Sequence, residues 1–238
     1  MSDLYQNYVV RKPSQFGERL VRDWHRRLAD RFETLTSIRF SAASCIEIGP
    51  GHGYFAELLV SRGCDYSFLD ISSPVVNNML EKGFRLAEPG RQPVDVIWLS
   101  HVLEHSTDWK AARNLLSDCL MFARTGGKVV VIGPDYLSWG KWFFDIDATH
   151  GYPTTLRTVA QLMKDVGMDV TCAKYHRGGR FALLPRTLFG LAALIPNALG
   201  RFILARGKMK SDDHQLYSWK AVLGWRQVFV IGSVRTID

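Results

Sequence analysis

Cysteine is scarce in this 238-residue chain, and its four copies (Cys45, Cys64, Cys119 and Cys172) are scattered. None of them forms a pair with the spacing of a metal finger or a redox motif, which excludes a zinc-ribbon or disulfide-stapled scaffold. Free, mostly buried thiols in a reducing cytosol are the plain reading. The first 14 residues are polar and lack the apolar core of a secretory signal. No run reaches the roughly 20 apolar residues that a bilayer-spanning helix needs. A cytoplasmic protein is expected. Acidic residues are in deficit, 23 Asp and Glu against 30 Lys and Arg, for a net charge of +7. That balance permits attraction to nucleic acid, anionic lipid or phosphorylated substrates and decides nothing about fold. No stripe of interleaved basic and aromatic residues is found, so nucleic acid is not an expected partner. A 47% hydrophobic composition supplies a full core for one domain of ordinary size.

The most informative stretch reads Cys45-Ile-Glu-Ile-Gly-Pro-Gly-His-Gly-Tyr-Phe55. A short apolar strand carries an acid, Glu47, runs into glycines on alternate positions (Gly49, Gly51 and Gly53), and opens a helix. Such a loop lets a ligand approach the backbone, and the helix start points free N–H groups and a positive dipole end at it. A dinucleotide fingerprint needs its third glycine at position 54, where this chain has Tyr54. A carboxylate at Glu47 would repel a pyrophosphate and suits a ligand with an ammonium or sulfonium cation. A second strand, Tyr66-Ser-Phe-Leu-Asp70, ends in an acid about 20 residues further on, where a ribose diol would be held.

At these residues the chain resembles the class I methyltransferases that use S-adenosylmethionine (SAM), whose first motif is an acid followed by x-G-x-G-x-G. Glu47-Ile-Gly-Pro-Gly-His-Gly53 matches it without a gap. Residues 94–105 look like the family's fourth strand and following turn, and residues 125–132 like its fifth strand. The resemblance covers roughly residues 40–175 and is nearest to the small-molecule, ubiquinone-type subgroup. It implies that Glu47, Gly49, Gly51, Gly53, Asp70 and Ser100 hold the SAM cofactor. It also implies a doubly wound α/β fold with a mostly parallel, seven-stranded Rossmann-like sheet. Only about two dozen residues separate Asp70 from Asp95, so the third helix of the family is expected to be lost, with a short third strand near residues 84–87. Glu88 is not assigned to the adenine.

The candidates for chemistry are histidines. His101, Glu104 and His105 would share one face of a helical turn. Alone, His-x-x-Glu-His matches an inverted zinc-peptidase motif, but here it follows a strand of a cofactor sheet and the further ligand is missing. A milder alternative has this cluster, with His150, hold a divalent ion near the acceptor. Family members that resemble such a pattern carry an acid where this chain has His101, and no metal is expected. The preferred role is acid–base. The end of that strand borders the crevice, and a histidine there can take a proton from a hydroxyl acceptor at neutral pH. His101, His105 and His150 are therefore the candidate catalytic residues. The alternative is that Glu104 and His105 merely pin the turn. The family has a similar Asp-x-Thr-His turn at residues 147–150, which points to the acceptor side for His150.

Three further segments frame the site. Residues 15–35 form an amphipathic helix with Leu20, Trp24, Leu28 and Phe32 on one side and five arginines on the other, expected to pack on the sheet with its arginines in solvent. Residues 133–154 crowd Tyr136, Trp139, Trp142, Phe143 and Phe144 into a loop that serves either as a lid over a flat acceptor or as a cluster pinning itself down. Residues 187–200 are uncharged, broken by Pro196 and followed by Arg201, Arg206, Lys208 and Lys210, an apolar segment with a cationic border. A buried helical hairpin and a membrane-facing surface are close alternatives, and the second is preferred. The chain is thus read as a single domain: a helical cap (1–38), a cofactor-binding core (39–177), an apolar and basic insertion (178–222) and a last strand (223–238). The expected activity is transfer of a methyl group from SAM to a hydroxyl of an apolar or lipid-linked small molecule, at the cytoplasmic face of a membrane contacted through residues 181–210. A non-catalytic SAM-fold subunit and an NAD oxidoreductase are the competing readings. Tyr54 and Glu47 count against the latter.

Overall fold

Alternation along the strands builds the molecule. In β3 (Val94–Ser100), Val96 and Trp98 point to one face of the sheet, and Ile97 and Leu99 to the other. A strand buried on both faces reads as a continuous apolar run and needs helices on each side. The computed structural model describes residues 15–88, 93–176 and 226–235, and among them the sheet has six strands. The others are β1 (Ser44–Ile48), β2 (Asp65–Leu69), β4 (Ala123–Pro134), β5 (Met168–His176) and β6 (Gln227–Val234). Their order is β2-β1-β3-β4-β6-β5, with β2, β1, β3 and β4 parallel and β6 antiparallel to both its neighbours. The doubly wound, mostly parallel expectation is met.

The seventh strand expected is not found among the described residues. Residues 84–87 add only a single parallel bridge, Phe68 to Leu86, made by two backbone hydrogen bonds of 3.0 and 2.8 Å. The segment is too short for more. It starts after Gly83 and meets Pro89, which has no N–H to extend a ladder.

One face is covered by α1 (Gln15–Thr36), α2 (Tyr54–Ser61) and α3 (Ser73–Glu81). Trp24, Leu28 and Phe32 of α1 pack with Phe40, Phe55, Trp98 and Phe229, and the Phe55 and Trp98 rings stack at 4.5 Å between centroids. The opposite face is covered by α4 (Trp109–Leu120) and α7 (Leu156–Asp165), over Ile97, Leu99, Val129, Val131 and Val230. Asp108 caps α4 by accepting from the Ala111 N–H at 2.9 Å, and Thr155 with Thr158 forms the capping box of α7.

The arginine face of α1 is not simply solvated. Arg22 bridges Glu18 (2.9 Å) and Glu57 of α2 (2.5 Å), while Arg62 reaches back to Asp30 (2.6 Å) and Glu33 (3.3 Å). These pairs fix α1 against α2 and hence over the edge of the glycine loop. Cys45, Cys64 and Cys119 are buried free thiols, and Cys172 is partly buried. No helix among the described residues is long and apolar enough to cross a membrane. The apolar and basic insertion, with the membrane-facing surface expected of it, lies outside the described residues.

Candidate active site

The glycine loop connects β1 to α2 beneath the end of β2. Gly49 has φ +71° and donates its N–H to the Leu69 carbonyl at 2.9 Å. A Cβ on Gly49 would come within 2.6 Å of a Val102 methyl, so the backbone there can have no side chain. Gly51 and Gly53 also have positive φ, and Gly53 is the N-cap of α2 without any side-chain cap. The first N–H groups of α2 are therefore left for a ligand.

Glu47 and Asp70 flank this loop as expected. Glu47 is buried and accepts a hydrogen bond from the Tyr66 hydroxyl at 2.6 Å. Burial pushes its carboxyl up to about 8; the Tyr66 hydrogen bond opposes this and the Asp70 charge adds to it. One Asp70 oxygen accepts from the Ser72 N–H at 2.7 Å, and burial raises this carboxyl against its backbone hydrogen bonds. These features fit a cationic ligand with a ribose: a side-chain-free cradle, an uncapped helix start and two acids with raised proton affinity. The residues present thus match SAM.

At the end of β3, Ser100 precedes His101, which has φ +56° and donates its N–H to the Ile132 carbonyl at 2.8 Å. A bulky residue in the left-handed region is uncommon and costs about 1–3 kcal/mol, a strain that concentrates at functional positions. His101 Nδ1 stands 3.0 Å from Glu104 Oε1. Glu104 is fully buried, and apart from the His101 pairing neither of its oxygens has a hydrogen-bond partner. Burial would raise this carboxyl. Instead His101, helped by His105 and His150, holds it below the ordinary range.

The short 3-10 turn Leu103–His105 is bound to the loop after α6 (Trp142–Ile146). The Glu104 carbonyl accepts from the N–H groups of Gly151 (2.9 Å) and Tyr152 (3.1 Å). A Cβ on Gly151 would collide with the Ser106 carbonyl oxygen. This close approach brings His150 beside His105, with ring centroids 5.0 Å apart. His105 Nδ1 lies 2.7 Å from Thr149 Oγ1, which itself donates to Asp147 Oδ1 at 2.6 Å. His150 Nδ1 donates to the Phe143 carbonyl at 2.5 Å, and burial pulls His150 below the usual imidazole value. The three histidines named from the sequence therefore converge on one carboxylate.

The aromatic loop resolves into α5 (Tyr136–Trp139) and α6. Trp139 and Phe143 are buried among Tyr136, Trp142 and Ile146, and the Trp139 indole donates to the Arg226 carbonyl at 3.0 Å. For these two residues the self-pinning alternative holds, whereas Leu137 and Phe144 are exposed. Two contributors escaped the sequence reading. Tyr66 sits on the same face as Glu47, which strand parity suggests but register alone decides. The Trp24 ring of α1 reaches to 5.8 Å from the His101 ring, and neither the Trp24 Nε1 nor the adjacent His25 Nδ1, both buried, has a partner.

The profile of a protein family described as "Methyltransferase domain" matches residues 17–173. A search of curated protein sequences found no match. Among solved structures, a SAM-dependent methyltransferase from Archaeoglobus fulgidus aligns at 20% identity over 97% of this chain and 98% of its own, with a TM-score of 0.60. A cyclopropane-fatty-acyl-phospholipid synthase-like protein from Lactobacillus casei aligns at 15% identity over 97% and 98%, with a TM-score of 0.59. The N-methyltransferase NodS from Bradyrhizobium japonicum aligns at 11% identity over 94% and 99%, with a TM-score of 0.56. The chain belongs to the methyltransferase domain family. It is an enzyme whose methyl donor is SAM.

Proposed function

We propose that this methyltransferase methylates a hydroxyl group on an apolar or lipid-linked small molecule, with His101 as the base. The observation that carries the reading is the pairing of His101 with the buried Glu104 at the crevice end of β3. Bound at Glu47, Gly49, Gly51, Gly53, Asp70 and Ser100, SAM supplies a methyl group made electrophilic by the sulfonium. With Nδ1 directed at Glu104, His101 presents Nε2 to the acceptor. The imidazole takes the hydroxyl proton as the oxygen attacks, and Glu104 stabilises the imidazolium that forms. Trp24, packed near His101, narrows the crevice from the α1 side and favours an apolar acceptor over water. His105 in the turn and His150 in the loop docked behind it border the same space. The apolar and basic segment 181–210 is assigned to acceptor delivery at the cytoplasmic face of a membrane, in keeping with its composition.

The test is transfer of labelled methyl from SAM to paired acceptors differing only in a hydroxyl or an amine, on phenolic and on isoprenoid-linked scaffolds. Turnover confined to hydroxyls, with a His101→Ala loss, supports the reading. Turnover confined to amines overturns it.

A further inference from the structure

The crevice edge of the sheet continues past His101 to the strands β4, β6 and β5. Gln227, the first residue of β6, pairs with Pro134 at the end of β4 and with His176 at the end of β5. The apolar and basic insertion is therefore joined to the sheet at this edge. α1 links the two places. Trp24 lies beside His101, and Arg31, seven residues or about 10 Å further along the helix, lies beside His176. Arg31 donates from Nη1 to the Tyr175 carbonyl at 3.3 Å and, from the same nitrogen, reaches His176 Nδ1 at 3.2 Å. Its guanidinium lies over the Phe229 ring at 4.9 Å. Among the described residues no carboxylate pairs with it. Burial works against its charge, and the one group that favours the charge is the Cys172 thiol.

The contact with Arg31 fixes the His176 tautomer. A guanidinium only donates, so Nδ1 accepts and the ring proton sits on Nε2. That Nε2 is buried and has no partner among the described residues. Burial, with the charges of Arg31 and Arg27, pulls His176 down to about 4, so the ring is neutral at pH 7 and keeps this tautomer. Across the strand pair, Gln227 Oε1 is buried and equally without a partner, and a half-turn of the amide puts an N–H at that point. Asp135, the acid next along the same edge, is held by Arg226 at 2.8 Å. An unpaired cation and a buried N–H without an acceptor are both costly, and an anionic oxygen satisfies both.

We infer that Arg31, His176 and Gln227 form a subsite for an anionic oxygen group of the acceptor, a carboxylate or a phosphate. Both described hydrogen bonds of Arg31 use Nη1, so among the described residues Nε and Nη2 are left to make the paired contact that suits either group. The Tyr175 carbonyl and the Phe229 ring hold the guanidinium in place before a ligand arrives. The acceptor is then an acid long enough to reach from His101 to Arg31, across two turns of α1. The inference takes its setting from the acceptor crevice proposed above, but its test needs neither turnover nor a hydroxyl.

The full chain, saturated with S-adenosylhomocysteine, is titrated by calorimetry with decyl phosphate, decanoate and decanol, each below the concentration at which it aggregates. One of the two anions should bind at least about tenfold tighter than decanol, and the tighter one distinguishes phosphate from carboxylate. Arg31→Gln should weaken that anion about 10- to 100-fold, the size of a hydrogen bond between charged groups, and leave decanol within about twofold. His176→Phe keeps a ring, removes the Nε2 donor and should weaken the anion about three- to tenfold. Arg26→Gln removes the same charge from an exposed place on α1 and should change nothing beyond about twofold. The preference should persist in about 0.5 M NaCl, which screens an exposed cation far more than a half-buried one. Binding of S-adenosylhomocysteine shows that each variant is folded. Equal binding of all three probes, or an anion preference that survives Arg31→Gln, overturns the inference. Methyl transfer confined to amines would overturn the hydroxyl chemistry and leave this subsite standing.

Discussion

The Tyr66 hydroxyl donates to Glu47 across 2.6 Å inside the strand pair that carries the glycine loop. Burial keeps the Glu47 proton on to about pH 8, against an ordinary value of 4.5. The fold thus favours the protonated acid. Its contribution to stability is fully present below 4.5 and is lost as pH rises through about 8. A cationic cofactor favours the ionised acid. SAM affinity, measured by calorimetry from about pH 6.5 to 9, should therefore tighten as pH rises through this range. Glu47→Gln should flatten that dependence. Tyr66→Phe removes a hydrogen bond that lowers the Glu47 value, so the inflection should move upward. An unchanged profile in Glu47→Gln would place the titration elsewhere.

Gly49→Ala combines a strained φ of +71° with a Cβ at 2.6 Å from Val102. A non-glycine residue held in such a conformation costs about 1–3 kcal/mol. Binding of S-adenosylhomocysteine should fall at least about tenfold, since 1.4 kcal/mol is one decade. Adding Val102→Ala relieves the clash and not the backbone strain, so it should restore affinity only in part. Full recovery in the double variant would show that space alone matters.

His101→Ala should lower kcat on a hydroxyl acceptor by about 10²–10⁴, the usual worth of a positioned general base. Affinity for S-adenosylhomocysteine should stay within about twofold, because this ring is held by Glu104 and Trp24 rather than by the glycine loop or Asp70. Steady-state kinetics beside calorimetry separates the two. An equal loss in both would make His101 a cofactor residue.

Gly151→Ala presses a methyl group against the Ser106 carbonyl and should lift the loop carrying Thr149 and His150 off the Leu103–His105 turn. Overpacking of this kind costs about 1–3 kcal/mol. Thermal melting should show a lowered Tm, and acceptor turnover should fall further than cofactor binding does. A variant as stable and active as the parent would mean that the two segments need not touch.

Much of this was legible in the residues themselves. Apolar runs interrupted by Gly49, Gly51 and Gly53 mark a strand, a ligand loop and a helix before any coordinates, because only glycine fits positive φ at such close quarters. The spacing of Trp24, Leu28 and Phe32 marks one buried helical face in the same way. Residues 84–87 misled because strand propensity does not count hydrogen bonds, and the segment makes a single bridge. The convergence of His150 on Glu104 depends on a turn 46 residues further along the chain docking through Gly151, a long-range contact that local pattern does not encode. The reach of Arg22 to Glu57 is of the same kind: charge pattern predicted a polar face, and tertiary packing chose its partner.

The strand β6 is the last of the described strands in sequence, and it lies inside the sheet, hydrogen-bonded on one side to β4 and on the other to β5. While the polypeptide is still being made, those two strands have nothing between them. The ribosome must release residues 227–234 before either can complete its ladder. A nascent chain stalled short of Gln227 would offer two raw edges to any other extended segment nearby. Aggregation of such stalled chains, rather than slow catalysis, is the hazard that this strand order imposes on making the enzyme.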